Sequence, residues 1–293
     1  MSSTEFAPVW GRFVRFIAED DKVYGGEPED PELDVGLALA AGEKVAVKIL
    51  DSPSAIAEGA KFTGETKTVK KLLSPLSMSE AGTIRCVGMN YKDHVAELGG
   101  TIPQVPEIFM KASTSLHGPT DAIILPKAAA DAVDAEAELT IVISKDCKDV
   151  DLSTALDYVL GYTLANDVTA RDVQSKILQW GYCKGFDTFC PLGPVLVSAK
   201  RLSNPSGLSL KTTLDGKVLQ DGNTANMIFS VAEIISYLSV GTTLPKGTVI
   251  LTGTPSGIGH SFKPPLYMKE GTVLRIRCSH GIGTLCNTVV AEK

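Results

Sequence analysis

No stretch of the 293-residue chain approaches the roughly 18 consecutive apolar residues of a membrane span; VGLALAAG and YVLGYTLA are among its longest apolar runs. There is no excess of basic charge either. Lys and Arg total 28 against 34 Asp and Glu, a formal net charge of −6, and a reader of phosphate backbones normally carries a basic domain. The six cysteines form no CxxC pair and sit mostly among apolar or strand-like neighbours, which reads as buried free thiols in a reducing compartment, with thiolate chemistry or zinc as the alternative. MSSTEFAPVWGRFVRFIAEDD lacks a basic segment followed by an apolar one, and it carries acids that a transit peptide avoids. The expectation is therefore a cytoplasmic protein with no membrane or nucleic-acid partner, a mitochondrial location being left open. What is present is an ordinary globular balance, 44% apolar and 21% charged, in a chain long enough to bury about 70% of its surface.

The 27 glycines and 16 prolines favour strands and shaped loops over long helices. Residues 1–76 contain short alternating stretches (GRFVRFIAED, DVGLALA, KVAVKIL) separated by acidic, Gly/Pro-rich turns between Tyr24 and Leu33, and predict a small β-rich N-terminal domain. The turn-rich KLLSPLSMSEAG segment, with Pro75, marks the boundary to a β-dominated domain over residues 77–293. There, ELTIVIS and LGYTLANDV read as buried strands, NYKDHVAEL as a short helix and TARDVQSKILQW as another. Asp215-Gly216 is a hairpin turn, and Ser230 with Glu233 forms a capping box.

Several residues carry chemistry. Glu136 and Glu138 lie two apart at the mouth of an apolar strand, so both carboxylates project from one face. They make either a solvated acidic strand end, continuing Asp131 and Asp134, or a site for a hard divalent cation. Asp167 closes a second apolar strand; it would be a third carboxylate of such a site, or the N-cap of the helix that follows. Arg171 and Gln174 share one face of that helix, turned to the site or to solvent. Lys184, set between glycines and aromatics, is a snorkelling surface lysine or a cation held beside an anion. His94 and Glu97, three apart, make a surface contact or an oriented general base, and Gly99-Gly100 beyond them would let their helix move as a lid. LTGTPSGIG lacks the ending of a phosphate-binding P-loop, although the Thr254 hydroxyl and nearby N–H groups could hold a carboxylate.

In order along the chain, GMNYKDHVAELG, PEIFMKASTSLHGP, EAELTIVI, NDVTARDVQ, KGFDTFCPLGP, TANMIF and LTGTPSGIG resemble the fumarylacetoacetate hydrolase superfamily over about residues 82–290. FDTFCPLGP and FKPPLYMKEG bring the small domain-containing members nearest. The resemblance implies a mixed β-roll or sandwich within a β-dominated α+β fold, and a homodimer. It implies Mg²⁺, with Mn²⁺ or Ca²⁺ as substitutes, held by Glu136, Glu138 and Asp167. It also implies oxo-acid contacts from Arg171, Gln174, Lys184 and Thr254, and a water-activating His94–Glu97 dyad, with Lys184 also catalytic. Lys111 falls in a matching block without an assigned role. The chemistry implied is metal-dependent enolate formation from a 2-oxo or 2,4-dioxo acid. Hydrolytic C–C cleavage of an acylpyruvate-like substrate leads. Oxaloacetate tautomerisation or decarboxylation, or isomerisation of a hydroxydienedioate, are the alternatives. Retention of all five metal and dyad residues argues against a non-catalytic metabolite-binding member. The stretches Gly99 to Pro106 and Gln179 to Cys183 are expected to shape the acyl pocket.

Overall fold

The structure, a computed structural model, describes residues 7–293; the first six residues, which include the start of the leader reading and of the N-terminal domain, lie outside the described residues. The chain is built on an 11-stranded sheet and a five-stranded sheet. In the larger sheet, Ala137–Ile143 lies between Val159–Asn166 and Val249–Leu251, antiparallel to both. All seven residues of Ala137–Ile143 and all eight of Val159–Asn166 are buried. That is why they read as continuous apolar runs rather than alternating ones: both of their faces are covered.

One cover is the five-stranded sheet, whose strands Ser209–Leu214, Val273–Cys278 and Gly283–Ala291 pack on the central strands. Leu210, Leu274, Ile276 and Leu285 join Leu139, Ile141, Leu164 and Val195 in one core. On the other face Val142, Leu160, Leu196 and Val249 meet Trp10, Phe13 and Ile84 in a second core. The hairpin joining Ser209–Leu214 to Lys217–Asn223 turns at Asp215 and Gly216, both left-handed (φ 49° and 81°), as the Asp-Gly pair predicts.

The N-terminal strands Arg12–Ala18, Val23–Pro28, Ala46–Leu50 and Phe62–Leu73 pair with one another. Arg12–Ala18 then hydrogen-bonds to Cys190–Ser198, so the large sheet runs on past residue 76 into the rest of the chain. Three local expectations are corrected. The Gly-Gly stretch from Tyr24 lies in the strand Val23–Pro28 rather than in a turn. DVGLALA folds as the helix Val35–Ala40, because the Asp34 carboxylate accepts the Leu37 N–H at its N-terminus. TARDVQSKILQW is helical only over Arg171–Gln174; Leu178 is 96% exposed, so no apolar face is buried to sustain further turns. The capping box at Ser230 opens the helix Val231–Ser239 as expected. All six cysteines are free, five of them buried; burial pushes Cys190 and Cys278 up to about 12, which leaves inert thiols. Among the described residues no helix is long and apolar enough to cross a membrane.

Candidate active site

Strand register assembles the acidic group. Ala137 pairs with Asn166 in the antiparallel ladder, so Glu136 stands opposite Asp167, whose N–H donates to the Glu136 carbonyl at 2.9 Å. On the other side Thr140 pairs with Leu251, which carries the following Gly253 alongside Glu138; the Gly253 N–H donates to Glu138 Oε2 at 2.6 Å. Parallel to Val249–Leu251 runs Ile84–Gly88, which launches the helix Lys92–Glu97 over the same edge. Neighbouring strand ends thus deliver Glu136, Glu138 and Asp167 to one point, with a carboxylate oxygen from each within 4.8 Å of the others and all three buried. Asp167 does not cap the next helix, whose N-cap is Ala170.

Three buried cations answer these acids. Lys111 Nζ donates to Asp167 Oδ1 at 2.6 Å. Lys184 Nζ donates to Asp167 Oδ2, Glu136 Oε2 and Thr169 Oγ1 at 2.7, 3.0 and 2.7 Å, committing its three N–H groups. The Arg171 guanidinium donates through Nε and Nη2 to Asp134 Oδ2 (3.0 and 2.9 Å), through Nη2 to Glu136 Oε1 (2.6 Å) and through Nη1 to Gln174 Oε1 (3.0 Å). Glu138 has no ion-pair partner among the described residues. Burial, with the charges of Asp167 and Glu136 beside it, pushes its carboxyl well above the usual range. Glu136 goes the other way. Burial acts to raise it as well, but Lys184 and Arg171 outweigh that and hold it below the usual range. Burial acts to lower Lys184, yet Asp167 and Glu136 keep it firmly protonated.

A buried carboxylate without a counter-cation, beside two more carboxylates, is the donor set that a hard divalent ion satisfies. The residues therefore fit a cation such as Mg²⁺.

The Gly-rich LTGTPSGIG segment is used unexpectedly: its backbone N–H groups bind the protein's own carboxylates. Besides Gly253 on Glu138, Gly257 donates to Glu97 Oε1 at 2.8 Å, and Gly259 and His260 donate to the two oxygens of Asp134 at 2.9 and 3.0 Å. Gly257 needs to be glycine, since its φ is +96° and a Cβ would run into the Leu219 carbonyl oxygen. Thr254 is tied into the same scaffold. Its hydroxyl donates to the Ala137 carbonyl at 2.9 Å and accepts from Gln220 Nε2 at 2.7 Å.

His94 and Glu97 meet as the spacing predicts, with Nδ1 and Oε2 3.1 Å apart. A carboxylate only accepts, so Nδ1 is the nitrogen that donates to Glu97, which leaves Nε2 as the one facing away from it. The dyad helix is docked: besides the Gly257–Glu97 bond, Ser256 Oγ donates to Asp93 Oδ2 at 3.1 Å, and His94 and Val95 are buried.

A cavity of about 260 Å³ joins these groups, lined by His94, Glu136, Glu138, Arg171, Gln174, Lys184 and Thr254 together with Val87, Met89, Leu98, Phe109, Trp180, Ile258 and His260. Trp180 comes from the stretch expected to shape the acyl pocket and packs edge-on to Phe109, with ring centroids 5.6 Å apart. From the other expected stretch, Gly99 to Pro106, nothing lines the cavity among the described residues; the wall ends at Leu98. Reading the sequence misses Asp134, Gln220, Phe109 and His260, and leaves Lys111 without a role. Asp134 was accessible: the two-residue step from Glu138 to Glu136 continues to it.

The chain matches the family model for the fumarylacetoacetate (FAA) hydrolase C-terminal region over residues 83–290, and it belongs to that family. It is 42% identical over 290 residues to caffeoylpyruvate hydrolase of Neonothopanus nambi, covering 97% of this chain and 94% of that one. It is 43% identical over 221 residues to a mitochondrial oxaloacetate tautomerase of Xenopus laevis, covering 75% of this chain and 68% of that one. The crystal structure of 2-hydroxyhepta-2,4-diene-1,7-dioate isomerase from Mycobacterium marinum superposes with a TM-score of 0.79 at 37% identity, covering 97% of this chain and 99% of that one.

Proposed function

We propose that this chain is a divalent-metal-dependent hydrolase that cleaves the C3–C4 bond of acylpyruvate-type 2,4-dioxo acids, releasing pyruvate and a carboxylic acid. The observation that carries the reading is that His94, paired with Glu97, lines the same cavity as Glu136 and Glu138 of the buried acidic triad that Asp167 completes. Similarity to a caffeoylpyruvate hydrolase along nearly the whole chain supports it. Phe109 and Trp180 offer a wall suited to an aryl acyl group.

Charge balance is consistent with that substrate. With all four acids ionised, Asp134, Glu136, Glu138 and Asp167 exceed Lys111, Arg171 and Lys184 by one negative charge. A divalent cation turns this into one positive charge, and a monoanionic oxo acid brings the site to neutrality. Held by Glu136, Glu138 and Asp167, Mg²⁺ (or Mn²⁺ or Ca²⁺) would supply Lewis-acid stabilisation of the negative charge that develops on the 2-oxo group.

The protein's own groups do the rest. His94 Nε2 takes a proton from water while Glu97, fixed by the Gly257 N–H, steadies the imidazolium that results. The hydroxide adds to the C4 carbonyl, the C3–C4 bond breaks with its electron pair going to C3, and the enolate of pyruvate is protonated at C3. Lys184 and Arg171 hold Glu136 in place, and their positive charge favours the developing anion. Gln174 Nε2 remains available for the substrate carboxylate, its Oε1 being engaged by Arg171.

The test is a turnover screen of acetylpyruvate, fumarylpyruvate and oxaloacetate with Mg²⁺, with EDTA and with a Glu136→Ala variant. Metal-dependent loss of the diketone absorbance with pyruvate formation supports the reading. Turnover of oxaloacetate alone would overturn it in favour of the second reading, tautomerisation or decarboxylation of oxaloacetate, which the tautomerase relative favours.

A further inference from the structure

The cavity differs sharply between its floor and its mouth. Glu136, Glu138, Arg171 and Lys184 at the floor are buried, whereas Leu98 and His260 in the lining are exposed. A substrate with its oxo-acid head on the buried acids therefore carries its acyl tail toward the exposed part of the lining, to which Leu98 and His260 belong. Most of the remaining wall is apolar: Val87, Met89, Phe109, Trp180 and Ile258. His260 is the polar group at that mouth.

Its ring is held in place. The His260 N–H donates to Asp134 Oδ2 at 3.0 Å, fixing the backbone. Ring Nδ1 lies 2.7 Å from the Tyr267 hydroxyl oxygen, and the two rings stack with centroids 6.1 Å apart and 27° between planes. Nε2 has no hydrogen-bond partner among the described residues. A ring fixed at one nitrogen presents the other in a set direction, at little entropic cost to a ligand. Asp134 is already paired with Arg171, and a divalent cation with a monoanionic oxo-acid head brings the buried ions to neutrality. A second carboxylate on the tail would add an uncompensated charge there; a neutral hydroxyl would not.

We propose that His260, oriented by Tyr267, is a specificity-determining residue that hydrogen-bonds a hydroxyl on the outer end of an aryl acyl tail. The chain would then select hydroxyaryl acylpyruvates over unsubstituted ones. This rests on the acylpyruvate reading above and adds the tail chemistry to it.

The experiment compares kcat/KM for two matched pairs of different tail length: benzoylpyruvate with 4-hydroxybenzoylpyruvate, and cinnamoylpyruvate with 4-hydroxycinnamoylpyruvate. Loss of one hydrogen bond to a neutral group predicts that His260→Phe, which keeps a ring to stack on Tyr267, lowers the hydroxyl preference about five- to tenfold in at least one pair. The loss should fall mainly on KM, and Tyr267→Phe should give a smaller loss in the same pair. A merely structural role would lower both members of a pair alike and leave the ratio unchanged, which would overturn the proposal. A larger loss on fumarylpyruvate than on either hydroxyaryl substrate would overturn the hydroxyl assignment. Calorimetric Kd values for the same pairs, on His94→Ala with and without His260→Phe, read the subsite without turnover. If the wild type cleaves none of these compounds, the hydrolase reading fails, while the ratio of Kd values still decides the role of His260.

Discussion

Asp134 receives the Arg171 guanidinium side-on, through Nε at 3.0 Å and Nη2 at 2.9 Å, with both side chains almost fully buried. The same carboxylate takes the backbone N–H groups of Ala135, Gly259 and His260. It therefore ties together the acidic strand, the helix Arg171–Gln174 and the Gly-rich loop. Removing it leaves a buried guanidinium with Glu136 as its remaining carboxylate and strands three N–H groups. Asp134→Ala should cost about 3–5 kcal/mol, seen as a lower urea midpoint. A double-mutant cycle with Arg171→Met should return a coupling of about 2 kcal/mol. A coupling near zero would show that Asp134 serves the loop and not Arg171.

Glu138 and Glu136 predict opposite pH dependences of stability in metal-free protein. The folded state raises the Glu138 pKa, so it binds a proton that the unfolded chain gives up near the ordinary carboxylate value. That contribution is full below the ordinary value and is lost as pH rises from there through the folded pKa. Glu136 is lowered, so its contribution is present above the ordinary value and lost as pH falls below it. Metal-free protein should accordingly lose Tm as pH rises from the ordinary carboxylate range through the raised Glu138 pKa, and Glu138→Gln should flatten that decline. Adding Mg²⁺ should raise the Tm of the wild type most at the alkaline end, with protons released on binding. An unchanged slope in Glu138→Gln would assign the effect to another group.

Much of the site could be read from the sequence because it rests on short-range rules. The two-residue step from Glu136 to Glu138 fixes a common face, and the three-residue step from His94 to Glu97 fixes a contact on one helical turn. Asp167 at the end of an apolar strand signals a buried acid, and Asp215-Gly216 signals a turn. What could not be read is pairing across long separations. That the Gly253, Gly257 and Gly259 amides bind Glu138, Glu97 and Asp134 depends on strand register over more than a hundred residues. Lys111 meets Asp167 in the same non-local way. DVGLALA failed for a local reason: six residues of small apolar side chains carry no clear period, and a single Asp34 cap decides between helix and strand.

Gly257 gives a prediction that joins backbone to chemistry. Its left-handed φ and the closeness of the Leu219 carbonyl leave no room for Cβ, while its N–H fixes Glu97. Gly257→Ala should cost about 1–3 kcal/mol in strain and shift the loop off Glu97. The expected result is a lower kcat with metal affinity close to wild type, read by calorimetric Mg²⁺ titration beside turnover. Equal losses of both would mean that the loop mainly supports Glu138.

The dyad can be separated from the metal triad by variants on its two members. His94→Gln removes the base while keeping a polar side chain of similar reach, and should lower acylpyruvate cleavage by about 10²–10⁴-fold. Glu97→Gln keeps an acceptor for the His94 Nδ1–H but discards the charge that favours the imidazolium. It should cost less than His94→Gln, with the loss falling on kcat. Both variants should bind Mg²⁺ as the wild type does, since neither residue belongs to the acidic triad. Oxaloacetate turnover offers the contrast. Tautomerisation needs no attacking water, so a variant that loses hydrolysis but keeps tautomerisation places His94 on the water. If both activities fall together, His94 instead moves the proton at C3.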